Sequence, residues 1–399
     1  MRFGLLFLLL VTVPSAAQAP SPSALTPDDY RVDARSIEPL IAAQYAYIDR
    51  FEDGRAPISP RLRAEAEQVT DRQSLLVFAE RVLLALADHH AITGASTAHS
   101  WAVVPSYSDL WIERRNAGYV VGAIRDGSPA AGAGIVPGDL LTAVSGVPIG
   151  VAVEGFWADL GVPLTDERAS FAARVLAAGR RDSPRHLELR SRSGETRAVE
   201  LPNLYAASRE GLERRLVVSE RRGGALEIRL NDSLGEDGTI AAFDAAMAGA
   251  RPAERIVIDL TETPSGGNTV VARAIMGWFV TRARSYQIHS LPAEERATGI
   301  PRQWVEQVLP RRGKSHRGSV TVRVGRWTGS MGEGLAIGFH AIGADVVGTR
   351  MAGLRGAVYD HRLSRTGFVL KLPTERLYSV GGTPREDFIP LQPHPRASR

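Results

Sequence analysis

Strand-like and helix-like segments alternate between about residues 212 and 391, and this alternation restricts the fold more than any other feature of the chain. Short apolar runs are each followed by a segment with apolar residues at helical spacing. The strands are expected at 225–230, 256–260, 320–324 and 345–347, and the helices at 238–249, 269–280 and 331–342. Such alternation predicts a layered α/β core with at least partly parallel strands.

The chain ahead of this core divides into a helical part and a part that glycine interrupts repeatedly. Residues 25–98 are expected to be helical, with a capping box of Thr70 and Gln73 before one helix. Residues 100–203 contain short apolar alternations that are typical of small strands, and they end in a hairpin at 187–201. A chain of 399 residues, at roughly 100–200 residues per domain, is long enough for two or three domains.

The first residues have the pattern of a secretory signal peptide. A positively charged start precedes the apolar run 4–13, and Ala17 and Ala19 form a small-residue cleavage site. We therefore expect residues 1–19 to be removed and the mature chain to be exported across the inner membrane to the periplasm. The chain contains no cysteine. No later apolar run approaches the roughly 20 residues that cross a bilayer, so the mature product is expected to be soluble.

Composition argues against several classes of partner. Lysine and arginine number 48 against 44 acidic residues, a net charge of +4, and the cations are scattered along the chain. Nucleic-acid binding is therefore not indicated. His89 and His90 lack the spacing of four residues with which one helix presents two metal ligands, and no nucleotide or coenzyme signature is present. Neither a metal nor a cofactor is expected.

Ser330 lies in a small-residue turn, Trp327 to Glu333, between an expected strand and an expected helix. A strand-to-helix turn exposes the serine hydroxyl and directs the first helical amides, including that of Met331, at the group under attack. This placement suits a nucleophile. The alternative is an ordinary turn or helix cap, in which serines flanked by glycine are common.

Residues 128–146 resemble the signature of PDZ domains in bacterial proteases. A PDZ domain adds an extended peptide to a sheet edge, and backbone amides near Gly118, Tyr119, Val120 and Val121 could receive a terminal carboxylate. The alternative is that the module only packs against the core and gates it.

With this PDZ-like insert ahead of the serine turn, the chain resembles the tail-specific or C-terminal-processing serine peptidase family over nearly its whole mature length. The resemblance implies a crotonase- or ClpP-like peptidase core at 212–391. Family members carry an apolar strand followed by a glycine pair, which here is Gly266 and Gly267. An amide of one glycine and that of Met331 would then form the oxyanion hole. Ser265 lengthens this loop, so which glycine donates stays open.

Much of this family uses a general-base lysine, but the corresponding position, 25 residues after Ser330, is Arg355. The guanidinium stays protonated at any working pH, so it cannot act as the base. Arg355 is expected to form a structural ion pair or to contact substrate. The sequence therefore argues against a serine–lysine mechanism.

A second branch, which includes the tricorn core protease, uses histidine and glutamate, and the chain is similar to it. The resemblance implies His90 as general base and Glu386 as the acid that orients it. His89 and Asp387 are the neighbouring alternatives, and His99 competes as base. In the simpler interpretation the histidines stabilise a helix C-terminus, and the carboxylates are solvated turn residues.

We therefore expect an exported serine endopeptidase or C-terminal processing peptidase that hydrolyses polypeptides through an acyl-enzyme on Ser330. The first alternative is a catalytically inactive PDZ-type peptide-binding scaffold. The second alternative is that the core performs another crotonase-like reaction, an acyl transfer, because a fold does not determine a function. The oligomeric state is left open.

Overall fold

The computed structural model describes residues 25–116, 118–205, 215–264 and 266–392. The predicted signal peptide lies outside these ranges. The helices are α1 (Pro27–Gln44), α2 (Pro60–Glu65), α3 (Arg72–Ala85), α4 (Pro129–Gly132), α5 (Ile149–Leu160), α6 (Asp166–Ala178), α7 (Gly238–Ala248), α8 (Thr269–Met276), α9 (Pro292–Thr298) and α10 (Met331–Ala341). Among the described residues, no helix combines the length and the apolar character needed to cross a membrane.

The strands form three sheets. They are β1 (Ile92–Thr93), β2 (Leu110–Arg115), β3 (Gly118–Ile124), β4 (Leu140–Val144), β5 (Val147–Pro148), β6 (Arg185–Arg190), β7 (Thr196–Leu201), β8 (Val217–Arg222), β9 (Ala225–Leu230), β10 (Arg255–Asp259), β11 (Arg284–Ser290), β12 (Gln303–Val308), β13 (Val320–Val324), β14 (Asp345–Gly348), β15 (Ala357–Arg362) and β16 (Val369–Tyr378).

The N-terminal helices bury one apolar face, and the predicted capping box of α3 is wrong by one residue. Asp71, not Thr70, is the N-cap, and its carboxylate accepts a hydrogen bond from the amide of Ser74 at 2.8 Å. The Ser74 hydroxyl in turn accepts one from the amide of Asp71 at 3.1 Å. A carboxylate at the N-cap also favours the positive end of the helix dipole. The helix ends at Ala85, and Ala87 has a φ of +49°, so the two histidines occupy a turn beyond the helix.

The middle sheet is antiparallel in the order β2-β3-β4-β6-β7, with β5 beside β4. The predicted closing hairpin is β6 and β7. Arg185 on β6 and Asp109 ahead of β2 form a buried bidentate ion pair at 2.6 and 2.8 Å. This ion pair joins the start of β6 to the residue just ahead of β2.

The core sheet has the order β14-β13-β10-β9-β8. Its first four strands are parallel, and β8 is antiparallel to β9. The predicted strands appear within a residue of their expected bounds, and the layered α/β core is confirmed. Helix α8 ends at Met276, earlier than expected. A Cβ at Gly277 would meet the side chain of Arg311 at 2.8 Å, so the chain there is packed against Arg311.

A third sheet joins the segment after α3 to the C-terminal part of the described chain. Its order is β1-β16-β11-β12, with β15 also paired to β16, and every pair is antiparallel. Ile92 pairs with Lys371 and Thr93 with Leu370. The turn that carries the histidines is thereby fixed beside the C-terminal part of the chain.

Candidate active site

Ser330 has a strained backbone at the junction of β13 and α10. Its φ of +50° and ψ of −113° lie outside the regions that residues with a side chain normally occupy. Gly329 permits this turn because a Cβ there would lie 2.5 Å from the carbonyl oxygen of Pro264. Strain of this kind costs roughly 1–3 kcal/mol and is concentrated at functional sites. The strand–turn–helix geometry is that of a nucleophile elbow.

The glycine pair follows β10 on the neighbouring strand. A Cβ at Gly266 would lie 3.1 Å from Oγ of Ser330, whereas one at Gly267 would lie 2.1 Å from the carbonyl oxygen of Leu234. Gly266 therefore borders the serine, and Gly267 is packed against the backbone of Leu234. Met331 is the first residue of α10, where helical amides have no acceptor within the helix. Of the two glycines, Gly266 has the better position for an oxyanion donor.

His90 is buried, and its ring is held by a backbone carbonyl. Its Nδ1 lies 2.7 Å from the carbonyl oxygen of Arg355, and its amide donates to Oδ1 of Asp88 at 2.9 Å. A carbonyl can only accept, so Nδ1 carries the proton and Nε2 is left as the basic nitrogen. Burial and the positive charge of Arg385 lower the pKa of His90 to about 4. The imidazole is therefore neutral at pH 7, as a general base must be.

The competing histidines are engaged elsewhere. His89 stacks on Phe171 at 4.3 Å, its Nε2 accepts a hydrogen bond from Arg174 at 3.0 Å, and its Nδ1 contacts the carbonyl oxygen of Val103 at 2.6 Å. Both of its ring nitrogens are thus occupied. His99 is exposed and pairs with Asp182 at 2.7 Å. Of the three candidates, the geometry favours His90.

Glu333 is a residue of this site that the sequence reasoning did not single out. Its Oε2 accepts hydrogen bonds from the amides of Ser330 (2.8 Å) and Leu354 (3.2 Å), and its Oε1 accepts one from Gly353 (2.9 Å). The side chain is fully buried. Burial raises the pKa of Glu333 to about 7, although Arg385 acts in the opposite direction. The spacing of Ser330 and Glu333, that of a capping box, is the signal that could have identified it.

Glu386 does not bind Nδ1 of His90, which corrects the predicted orienting contact. The backbone carbonyl of Arg355 occupies that position. Glu386 lies in a short helical turn, where its Oε2 is buried without a hydrogen-bond partner of good geometry among the described residues. Burial and then the charge of Glu386 raise the pKa of the Tyr47 hydroxyl. Asp387 is exposed, so Glu386 is the carboxylate that faces the interior.

Arg355 forms a structural ion pair, which is one of the two roles that the sequence predicts for it. Its guanidinium contacts Glu167 on α6 at 2.8 Å. The backbone around it is held by Arg385, which donates to the carbonyl oxygens of Leu354 (2.7 Å) and Gly356 (2.8 Å). The 353–356 loop therefore contacts the serine turn, the histidine and the C-terminal turn.

Residues 225–394 match the model of a known family, Peptidase family S41. This chain contains an S41 peptidase domain. It is accordingly a serine-type peptidase.

Solved structures share the fold along nearly the whole chain. A photosystem II D1 C-terminal processing protease has 16% identity and a TM-score of 0.54, and covers 92% of this chain and 94% of its own. Mature CPAF has 14% identity and a TM-score of 0.54, with 92% of each chain covered. Comparison with curated protein sequences gave no match.

The predicted peptide-binding segment lies on an inner strand of the middle sheet rather than at its edge. Gly118 to Val121 lie in β3, which is paired on both sides by β2 and β4. The amide of Val121, for example, donates to the carbonyl oxygen of Asp139 at 2.8 Å. The edge strands of the sheet are β2 and β7. Helix α6 packs on β2, where the hydroxyl of Ser170 accepts a hydrogen bond from the amide of Arg114 at 3.1 Å.

A cavity of about 730 Å³ lies beside the S41 site rather than within it. Residues of α3, of the 91–104 segment, of α5 and of α6 line this cavity, and Ser330, His90 and Glu386 do not. No cluster of three or more side chains suited to a metal was found in the part of the chain that the structure describes.

Proposed function

We propose that this serine peptidase is an exported endopeptidase or C-terminal processing peptidase that cleaves polypeptides through an acyl-enzyme on Ser330. The single observation that supports the nucleophile is the strained elbow at φ +50°, because a plain helix cap has no need of such a backbone. The chain retains this costly conformation where the hydroxyl emerges between two glycine-bearing turns.

The proposed mechanism uses the neutral His90 as general base. Nε2 takes the hydroxyl proton of Ser330 as its oxygen attacks the scissile carbonyl carbon. The amides of Met331 and Gly266 stabilise the oxyanion of the tetrahedral intermediate. The imidazolium then gives its proton to the leaving amine, and water attacks the acyl-enzyme by the same route in reverse. The carbonyl of Arg355 holds the ring throughout, which is the task of a carboxylate in a conventional triad.

The remaining parts of the chain support the setting of this proposal. Residues 1–19 are proposed as a signal peptide that directs the protein to the periplasm, 25–98 as a helical domain and 100–203 as a PDZ-like domain. An antiparallel sheet with two longer helices supports the PDZ-like assignment, together with the 128–146 signature. Residues 212–391 are proposed as the peptidase core.

Labelling with a fluorophosphonate tests the nucleophile directly. We expect the native protein to be labelled and the Ser330→Ala variant not to be. Equal labelling of both would assign the reaction to another residue. No labelling of either would favour the inactive peptide-binding scaffold.

A further inference from the structure

A buried carboxylate connects the two halves of the candidate site, beside a backbone hydrogen bond from the amide of Ala352 to the carbonyl oxygen of Thr328 at 3.0 Å. Glu333 accepts three backbone amides, one from the serine turn and two from the 353–356 loop. These segments are separated by β14 and are not otherwise adjacent in sequence. Hydrogen bonds to a charged acceptor are about twice as strong as neutral ones. This side chain therefore fixes the position of the loop relative to Ser330.

The same loop holds the ring of His90. The carbonyl of Arg355 follows directly after the Leu354 amide that Glu333 binds, and it accepts from Nδ1. The loop has little freedom to adopt another shape. Gly353 and Gly356 have φ values of +70° and +55°, and a Cβ at Gly356 would lie 2.1 Å from the carbonyl oxygen of Glu375. A displacement at Glu333 would therefore be passed to the histidine.

We infer that Glu333 is a positioning residue, which sets His90 against Ser330 by holding the 353–356 loop to the serine turn. The inference rests on the proposed roles of Ser330 and His90. The side chain of Glu333 binds backbone amides rather than a reacting atom in this arrangement. Its effect is exerted through the tautomer and the orientation of the imidazole.

The ionisation of Glu333 makes this role sensitive to pH. A protonated carboxyl oxygen donates instead of accepting, so at least one of the three amides loses its partner. The raised pKa, about 7, places this change near neutrality. Arg385 is the charged group that acts on Glu333, and it favours the carboxylate. His90, with a pKa of about 4, remains neutral in the same range, and Arg355 is paired with Glu167.

The experiment compares Glu333→Gln with a matched control, Asp33→Asn. Asp33 on α1 is likewise fully buried, and it accepts hydrogen bonds from two amides and a hydroxyl of Arg365 and Thr366, in the turn between β15 and β16. The rate of fluorophosphonate labelling is measured against pH. We expect labelling of Glu333→Gln to be about 100-fold slower, the usual cost of a displacement of about 1 Å. Asp33→Asn should label at the native rate.

The pH profile separates positioning from simple destabilisation. The labelling rate of the native protein should decrease as the pH is lowered through about 7. The rate of Glu333→Gln should show no such decrease, because glutamine does not titrate. Retention of the decrease in the variant, or a native labelling rate at every pH, would overturn the inference.

A second readout does not depend on activity. In protein labelled with ¹⁵N-histidine, the His90 signals, assigned by their loss in His90→Asn, should show a protonated Nδ1 in native protein and a mixture of tautomers in Glu333→Gln. If Glu333→Gln fails to fold, a native titration decides, since the His90 signals should shift near pH 7. Flat signals would refute the role of Glu333. Absent labelling of native Ser330 would instead refute the proposed function, and the tautomer measurement would still stand.

Discussion

Nδ1 of His90 lies 2.7 Å from the carbonyl oxygen of Arg355, the position that a carboxylate occupies in a conventional triad. A backbone acceptor holds the ring in the tautomer that a base requires, without placing a negative charge beside it. The site therefore depends on the shape of a loop more than on the identity of a third side chain.

Replacement of His90 by alanine should slow labelling of Ser330 by about 10²- to 10⁴-fold, which is the usual contribution of a general base. The control is His99→Ala, which removes an exposed imidazole that pairs with Asp182. It should react at the native rate. If His99→Ala were the slow variant, the assignment of the base would be reversed.

Replacement of Glu386 by glutamine should have a much smaller effect than replacement of His90. The carboxylate does not bind Nδ1, so the tautomer survives its loss. In a conventional triad the equivalent change costs about 10⁴-fold. Steady-state hydrolysis of an unfolded protein substrate checks this prediction. A loss as large as that of His90→Ala would show that Glu386 acts on the histidine after all.

Replacement of Ser330 by glycine should give a more stable protein than replacement by alanine. The backbone at φ +50° strains any residue with a Cβ by roughly 1–3 kcal/mol. The greater chain entropy of unfolded glycine offsets about 0.5–1 kcal/mol of this, which leaves a difference of roughly 1 kcal/mol.

Urea unfolding measures the difference in the free energy of unfolding. Ser183 is exposed and has no positive φ, so there the alanine variant should be the more stable of the pair. The same order at both sites would argue against strain at the elbow.

Stability should fall as the pH rises from about 6.5 through 9, because of His289. This ring lies 3.0 Å from Glu375 and 3.2 Å from Glu306. Burial alone would lower its pKa, but the hydrogen bonds to Glu306 and Glu375 outweigh burial and raise the pKa to about 9. A group whose folded pKa is raised stabilises the protein fully below its unfolded pKa, near 6.5, and loses that contribution through its folded pKa.

Urea midpoints at several pH values test this in native protein and in His289→Gln, which should lack the decline. His186 is exposed and lies 3.6 Å from Glu200, so His186→Gln should show the same decline in stability as the native protein. An unchanged decline in His289→Gln would mean that another group titrates.

The elements that the sequence predicted well are those specified by local patterns. Ala225–Leu230 and Val320–Val324 alternate apolar residues with polar or charged ones, and both are core strands with the expected bounds. Ser330 could be identified because its turn joins such a strand to a helix.

The rest depends on contacts between distant residues. Gly118 to Val121 have the composition of any small strand, and only the pairing with β2 and β4 shows that their edges are covered. The acceptor on His90 is a main-chain oxygen, to which no side-chain pattern points. The two-residue β1 is too short for any periodicity to reveal.

The pairing of β1 with β16 also affects the order of events during synthesis. His90 leaves the ribosome well before β16, the strand that holds its neighbour Ile92. Contacts between such distant segments form slowly. A chain made only as far as the serine turn therefore lacks the strand that holds the turn carrying His90, and we expect it to be unable to cleave polypeptides until β16 has been made and paired.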